Sequence, residues 1–122
     1  MKTRSLALGA TALVLAACSA DKAMLPPAGS IITISDFFFS PDSISVPKGT
    51  IVEWDNSGPS AHNVTSDSSV WTAVLLSPPS GGGGAYGGGT AGGTFRRTFD
   101  TPGTFRYHCT IHGMPGVVVV TP

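Results

Sequence analysis

Beyond residue 30 the chain repeats short runs in which apolar and polar positions alternate, the period of a β-strand with one buried face. Ile31 to Ile34 is rich in β-branched residues, Ile44-Ser45-Val46 alternates, and Thr50 to Trp54 follows the turn signal Pro47-Lys48-Gly49. Thr94 to Phe99, Gly103 to Cys109 after Thr101-Pro102, and Val117 to Val120 extend the series, and a further strand-like segment begins at His62. No stretch sustains a helical period of 3.6. Short strands at turn-marked spacings predict an all-β fold, an antiparallel sandwich or a small barrel.

One segment interrupts this order. Ser77 to Gly93 carries Pro78-Pro79 and is then dominated by glycine. Such a chain loses too much conformational entropy on ordering to pack well, so residues 77–93 are expected to form a mobile surface loop. A phosphate cradle would need a strand–loop–helix context and a following Lys-Ser/Thr, which are missing. Trp71, Val74 and Leu76 fit an extra strand or a short helix equally well.

The N-terminus follows another pattern. Lys2 and Arg4 precede an apolar run from Leu6 to Ala17, which is short of the roughly 20 residues needed to span a bilayer. Residues 1–17 therefore read as a signal peptide. The run ends in Leu15-Ala16-Ala17-Cys18, which resembles a bacterial lipobox, in which the cysteine becomes the lipid-bearing first residue. The plainer alternative is secretory cleavage near Ala17 or Ala20 with Cys18 incidental. Residues 18–29 lack periodicity and contain a Pro pair, as befits a tether between a lipid anchor at Cys18 and a domain over 30–122. The expected location is extracytoplasmic: a bacterial periplasmic face, or the outer surface of a one-membrane cell.

Composition narrows the functions. What remains after residue 17 is enough for one domain, not two. The chain has seven Lys and Arg against seven Asp and Glu, and loss of Lys2 and Arg4 leaves it mildly acidic. No basic patch is available to grip nucleic acid. If Cys18 is lipidated, Cys109 stands alone without a disulfide partner, and its thiol needs another explanation.

Tyr107-His108-Cys109-Thr110-Ile111-His112-Gly113-Met114-Pro115-Gly116 offers one. A thiolate, an imidazole and a thioether fall within six residues, between one predicted strand and the last. That soft N/S ligand set is favoured by copper, and His62 supplies a second imidazole. Two imidazoles and a thiolate, with a weak axial thioether or carbonyl oxygen, describe a blue-copper electron-transfer site.

The chain resembles the plastocyanin/amicyanin group of cupredoxins in a run of matching residues. These are Ile32-Thr33-Ile34…Phe37…Phe39-Ser40-Pro41…Ile44…Val46…Gly49…Val52…Trp54…Asn56…His62-Asn63-Val64 and Phe99-Asp100-Thr101-Pro102-Gly103-Thr104-Phe105…Tyr107…Cys109-Thr110-Ile111-His112…Met114…Gly116…Val118…Val120. The resemblance implies a Greek-key β-sandwich of about seven to eight strands. It implies one type 1 copper ion, with His62, Cys109 and His112 as equatorial ligands and Met114 as the axial one. It also implies a hydrogen bond between Asn63 and Thr110 that ties the two ligand-bearing loops together. One departure is visible: the family usually places at least two residues between the second His and the Met, and only Gly113 stands here. Should Met114 not reach, the Ala61 carbonyl beside His62 is the alternative axial ligand.

The expected function is single-electron transfer between redox partners by a membrane-tethered monomer. Partners would dock near His112, on an apolar patch of Gly113, Met114, Pro115 and the loop at Pro59. Copper storage, delivery or resistance is the alternative, although exposed Met-rich or His-rich sequences are absent. Structural zinc usually draws cysteines in pairs, and catalytic zinc would want a carboxylate base. Cysteine-protease chemistry finds no oxyanion signature, and three histidines cannot build the extra clusters of a multicopper oxidase. His108, next to Cys109 in a strand, should face the opposite way. Phe37-Phe38-Phe39 and Trp54 read as core and edge residues.

Overall fold

The computed structural model describes residues 30–81 and 89–122. The expected signal peptide over 1–17, the expected tether over 18–29 with Cys18, and the middle of the glycine-rich segment lie outside the described residues. Among the described residues nine strands form: β1 (Ile31–Ser35), β2 (Phe38–Ser40), β3 (Ser43–Pro47), β4 (Thr50–Asn56), β5 (His62–Ser66), β6 (Val74–Leu76), β7 (Thr94–Phe99), β8 (Gly103–His108) and β9 (Pro115–Thr121). The expected number was about seven to eight. The two least legible additions, β2 and β6, have three residues each, too few to display a period.

The strands make two facing sheets, ordered β2-β1-β4-β7 and β3-β9-β8-β5-β6. This is the expected all-β sandwich, but its sheets are mixed. β1 runs parallel to β4 and β3 runs parallel to β9. Local hairpin signals cannot reveal such pairings, because they join segments separated by other strands.

Alternation sets which faces meet. In β9, Val118 and Val120 are buried while Val117 and Val119 stand half-exposed, and the parallel register aligns Ile44 with Val118 and Val46 with Val120. The opposite sheet contributes Ile32, Ile34, Val52 and Trp54. Trp54 anchors the interior: its ring stacks on Phe95 at 5.3 Å and meets Tyr107 edge-on at 5.4 Å. Aromatic pairs of this kind add about 0.5–1.5 kcal/mol each beyond the area they bury. Trp71 closes the same cluster and donates its indole N–H to the Val64 carbonyl at 3.3 Å.

Of the three phenylalanines, only Phe39 enters the core; Phe38 points outward on β2 and Phe37 lies exposed in the β1–β2 turn. The described ends of the glycine-rich segment are hydrogen-bonded to each other and to β4. Ser80 and Thr90 exchange backbone hydrogen bonds, and Gly93 bonds to both Asn56 and Ser77. Glycine is required there, since a Cβ on Gly92 would fall 1.7 Å from the Asn56 carbonyl oxygen. The ends are thus cinched onto the sandwich, while residues 82–88 lie outside the described residues.

Candidate metal centre

Three loops converge at one end of the sandwich. The β8–β9 loop carries Cys109, His112 and Met114; the β4–β5 loop leads into His62; the β1–β2 turn contributes Asp36 and Phe37. The parallel β1–β4 register ends with Ile34 opposite Asn56, so the segments after both strands leave side by side. The Ile34 carbonyl then accepts from the amides of Ser57 and Gly58, at 2.9 and 3.1 Å.

His62, Cys109 and His112 offer ligand atoms that all lie within 4.8 Å of one another. The two histidine Nδ1 atoms are 3.1 Å apart, and Cys109 Sγ is 3.8 Å from His62 Nδ1. Metal–imidazole and metal–thiolate bonds to a zinc-sized ion run about 2.0–2.1 and 2.3 Å, so two nitrogens sharing one ion cannot exceed about 4.2 Å, nor nitrogen and sulfur about 4.4 Å. Both observed spacings satisfy those limits. The set of two imidazoles and one thiolate has the softness that copper prefers.

The centre is largely screened from water. His62 and Cys109 are fully buried, and His112 keeps a half-exposed edge against which Phe37 packs at 5.0 Å in a T-shaped pair. Phe37, Ile111, Gly113, Pro115 and Pro59 are exposed, and Phe37 is in contact with His112. Met114 belongs instead to the buried core, only 3% exposed, which corrects its expected place on the outer patch. The short spacer is accommodated by a closed turn. Gly113 adopts φ of 70°, its amide donates to the Cys109 carbonyl at 2.8 Å, and the Cys109 amide donates to the Met114 carbonyl at 2.9 Å. A non-glycine residue would resist that left-handed backbone. The outcome turns the Met114 side chain into the hydrophobic cluster that also contains Cys109. Ala61 sits half-buried immediately before β5.

The expected brace between the loops is present. Asn63 Nδ2 donates to Thr110 Oγ1 at 2.6 Å, and Asn63 Oδ1 accepts from the Thr110 amide at 2.9 Å and from Thr65 Oγ1 at 3.0 Å. The Asn63 amide also points at Cys109 Sγ, 3.4 Å away. His108 faces away, as expected, and pairs with Asp67 at the surface.

Sequence reasoning missed a second support. Asp36 Oδ1 lies 2.9 Å from His62 Nε2, and Asp36 Oδ2 accepts from Ser60 Oγ at 2.7 Å. With Nε2–H directed at a carboxylate, His62 Nδ1 keeps its lone pair for the centre. The hydrogen bonds from Ser60 and His62 hold the Asp36 carboxyl below its ordinary value of 3.8. Asn56, itself buried, shapes the intervening loop by donating to the carbonyls of Ser60 and Leu76 and accepting from the Gly58 amide. Asp36 and His62 are 26 positions apart, and only the parallel register makes them neighbours.

A mixed β-sandwich with a buried bis-imidazole–thiolate centre at one end defines the class of a mononuclear metal-binding cupredoxin fold. The chain belongs to the plastocyanin/azurin family of copper-binding proteins, whose sequence model matches residues 30–121. Among solved structures it is similar to the Cu(I) form of an amicyanin point mutant, with 28% identity and a TM-score of 0.56, covering 75% of this chain and 80% of that one. A reduced Cu(I) form of another amicyanin mutant at pH 4 matches with 26% identity and a TM-score of 0.58, over 80% of this chain and 86% of that one. The novel purple cupredoxin from Nitrosopumilus maritimus shares the fold at 24% identity and a TM-score of 0.54, covering 75% and 98%. Copper is accordingly the cofactor, and His62, Cys109, His112 and Met114 are positioned as a type 1 copper site.

Proposed function

We propose that this protein carries single electrons between redox partners outside the cytoplasm, with His62, Cys109 and His112 as equatorial copper ligands and Met114 as the axial one. When bound, copper supplies the one-electron couple. The observation that carries the reading is the convergence of three donors on a buried point already braced by side chains that bind no metal. Asn63 ties the ligand loops together, Asp36 orients His62, and the closed 109–114 turn restrains Cys109 and Met114. A site held in this way has little freedom to rearrange, which suits rapid changes of oxidation state and ill suits metal release.

His112 offers the half-exposed edge through which electrons would enter and leave. The exposed apolar residues of the segment that carries it, Ile111 and Pro115, and Phe37 packed against its ring, suit weak and short-lived docking by a redox protein. The residues assigned to the site act as ligands or braces, so the chain serves as a carrier rather than a catalyst, working as a monomer. Lipid attachment at Cys18 would hold the domain at a bacterial membrane through residues 18–29. Metabolic labelling with a fatty acid should mark the wild type and not Cys18→Ala.

The deciding experiment loads the domain with Cu(II), records the intense thiolate-to-copper absorption, and follows the couple by voltammetry. Reversible one-electron exchange is expected. Very slow exchange would favour storage, delivery or resistance instead. Cys109→Ala should abolish the blue band and leave the domain folded; a variant that stays blue overturns the ligand assignment.

A further inference from the structure

Resting on the copper reading above, we propose that Asp36 is a positioning residue that sets the balance between the two copper oxidation states. It does so by holding His62 in one tautomer and placing a negative charge behind that ligand. Three features of the turn support the assignment. His62 is fully buried, and the Asp36 carboxylate faces its Nε2 at 2.9 Å. Ser60 holds the other carboxylate oxygen at 2.7 Å, so the group is fixed at both ends. Gly58 makes room for it: a Cβ at that position would fall 2.8 Å from Asp36 Oδ1 and 3.1 Å from the Asp36 amide nitrogen.

The chemistry follows from charge. A carboxylate acceptor gives a stronger hydrogen bond than a neutral one and makes the imidazole a better donor through its other nitrogen. Cu(II) carries one more positive charge than Cu(I), so a fixed anion behind the ligand favours the oxidised ion more. Loss of such an outer partner typically costs 10–100-fold in metal affinity. Asp36 is partly exposed, with 21% of its side chain accessible, which places it at the lower end of that range.

Asp36→Asn preserves the shape and the oxygen acceptor but removes the charge; Asp36→Ala removes both; Gly58→Ala keeps the charge and displaces the carboxylate. Asp36→Asn should bind Cu(II) about tenfold more weakly with Cu(I) affinity little changed, and that tenfold converts to a potential about 59 mV higher. Gly58→Ala should shift the potential in the same direction, and Asp36→Ala further than Asp36→Asn. A second readout needs no copper. In the metal-free domain, ¹⁵N NMR of His62 should report the Nε2–H tautomer in the wild type and Asp36→Asn, and a mixture in Asp36→Ala. Asp36→Asn is the decisive variant should Asp36→Ala fail to fold. Unchanged potentials in variants that remain blue, or an unaltered tautomer in folded Asp36→Ala, overturn the inference and leave the electron-carrier reading standing. A wild type that takes up no blue copper overturns both.

Discussion

Replacing Asn63 by alanine tests whether the ligand loops are held together before any metal arrives. The side chain makes three hydrogen bonds, with Thr110 Oγ1, the Thr110 amide and Thr65 Oγ1. Each is worth about 0.5–1.5 kcal/mol net. Thr110 is exposed and Thr65 half-exposed, so water can take up part of what they lose, and the sum falls near 2 kcal/mol. For a domain spanning residues 30–121, each kcal/mol moves Tm by about 4–8 °C, which predicts a fall of about 8–16 °C in the metal-free protein. Thermal unfolding followed by circular dichroism measures it. A cycle with Thr110→Ala supplies the pairwise share, expected at about 1 kcal/mol, since neighbours within one network do not add. Copper affinity should fall as well, because the unbraced loops must then be ordered by the ion itself. A Tm shift below about 2 °C, or strictly additive single variants, would refute the preformed brace.

Gly116→Ala places a Cβ 2.2 Å from Tyr107 Cζ, and Tyr107 is confined by Phe39 and Trp54, so overpacking should cost about 3 kcal/mol; an unchanged urea midpoint would contradict this. Burial pushes the Tyr107 phenol up to about 12, so its contribution to stability is intact below its unfolded value near 10 and is lost as pH rises through 12. Denaturation series across that alkaline window should therefore show the wild type weakening more than Tyr107→Phe, and parallel curves would rule the effect out. Met114→Gln should alter the copper potential while the equatorial ligands still bind; an unchanged potential would remove Met114 as the axial ligand and turn attention to the Ala61 carbonyl.

The legibility of the site follows the distance over which its parts are specified. The Cys109–Met114 segment delivers three donor side chains in one turn, and its chemistry is readable because residue types alone dictate softness and charge. Strands such as β9 are equally readable, since burial alternates with the same period as the sequence. The resemblance to cupredoxins assigned His62 its equatorial role and added the Asn63–Thr110 bond, which no local pattern could connect. By contrast, sequence does not say which of Phe37-Phe38-Phe39 is core and which is edge; Phe37 is exposed because the β1–β2 turn places it at the surface beside His112. The Gly113 spacer looks too short until two backbone hydrogen bonds close the turn and send Met114 inward.

The amino-acid sequence determined the β architecture, the soft donor set and the copper chemistry it favours, because these depend on periodicity and on the nature of side chains. Only the tertiary structure decided that Asp36 stands behind His62, that Gly93 and the Ser80–Thr90 pair hold the described ends of the glycine-rich segment, and that Phe37 packs against His112. Those relations depend on strands pairing across long stretches of chain, β1 with β4 in parallel and β4 with β7 antiparallel. Their register is settled by the packed core as a whole, and no short segment carries it.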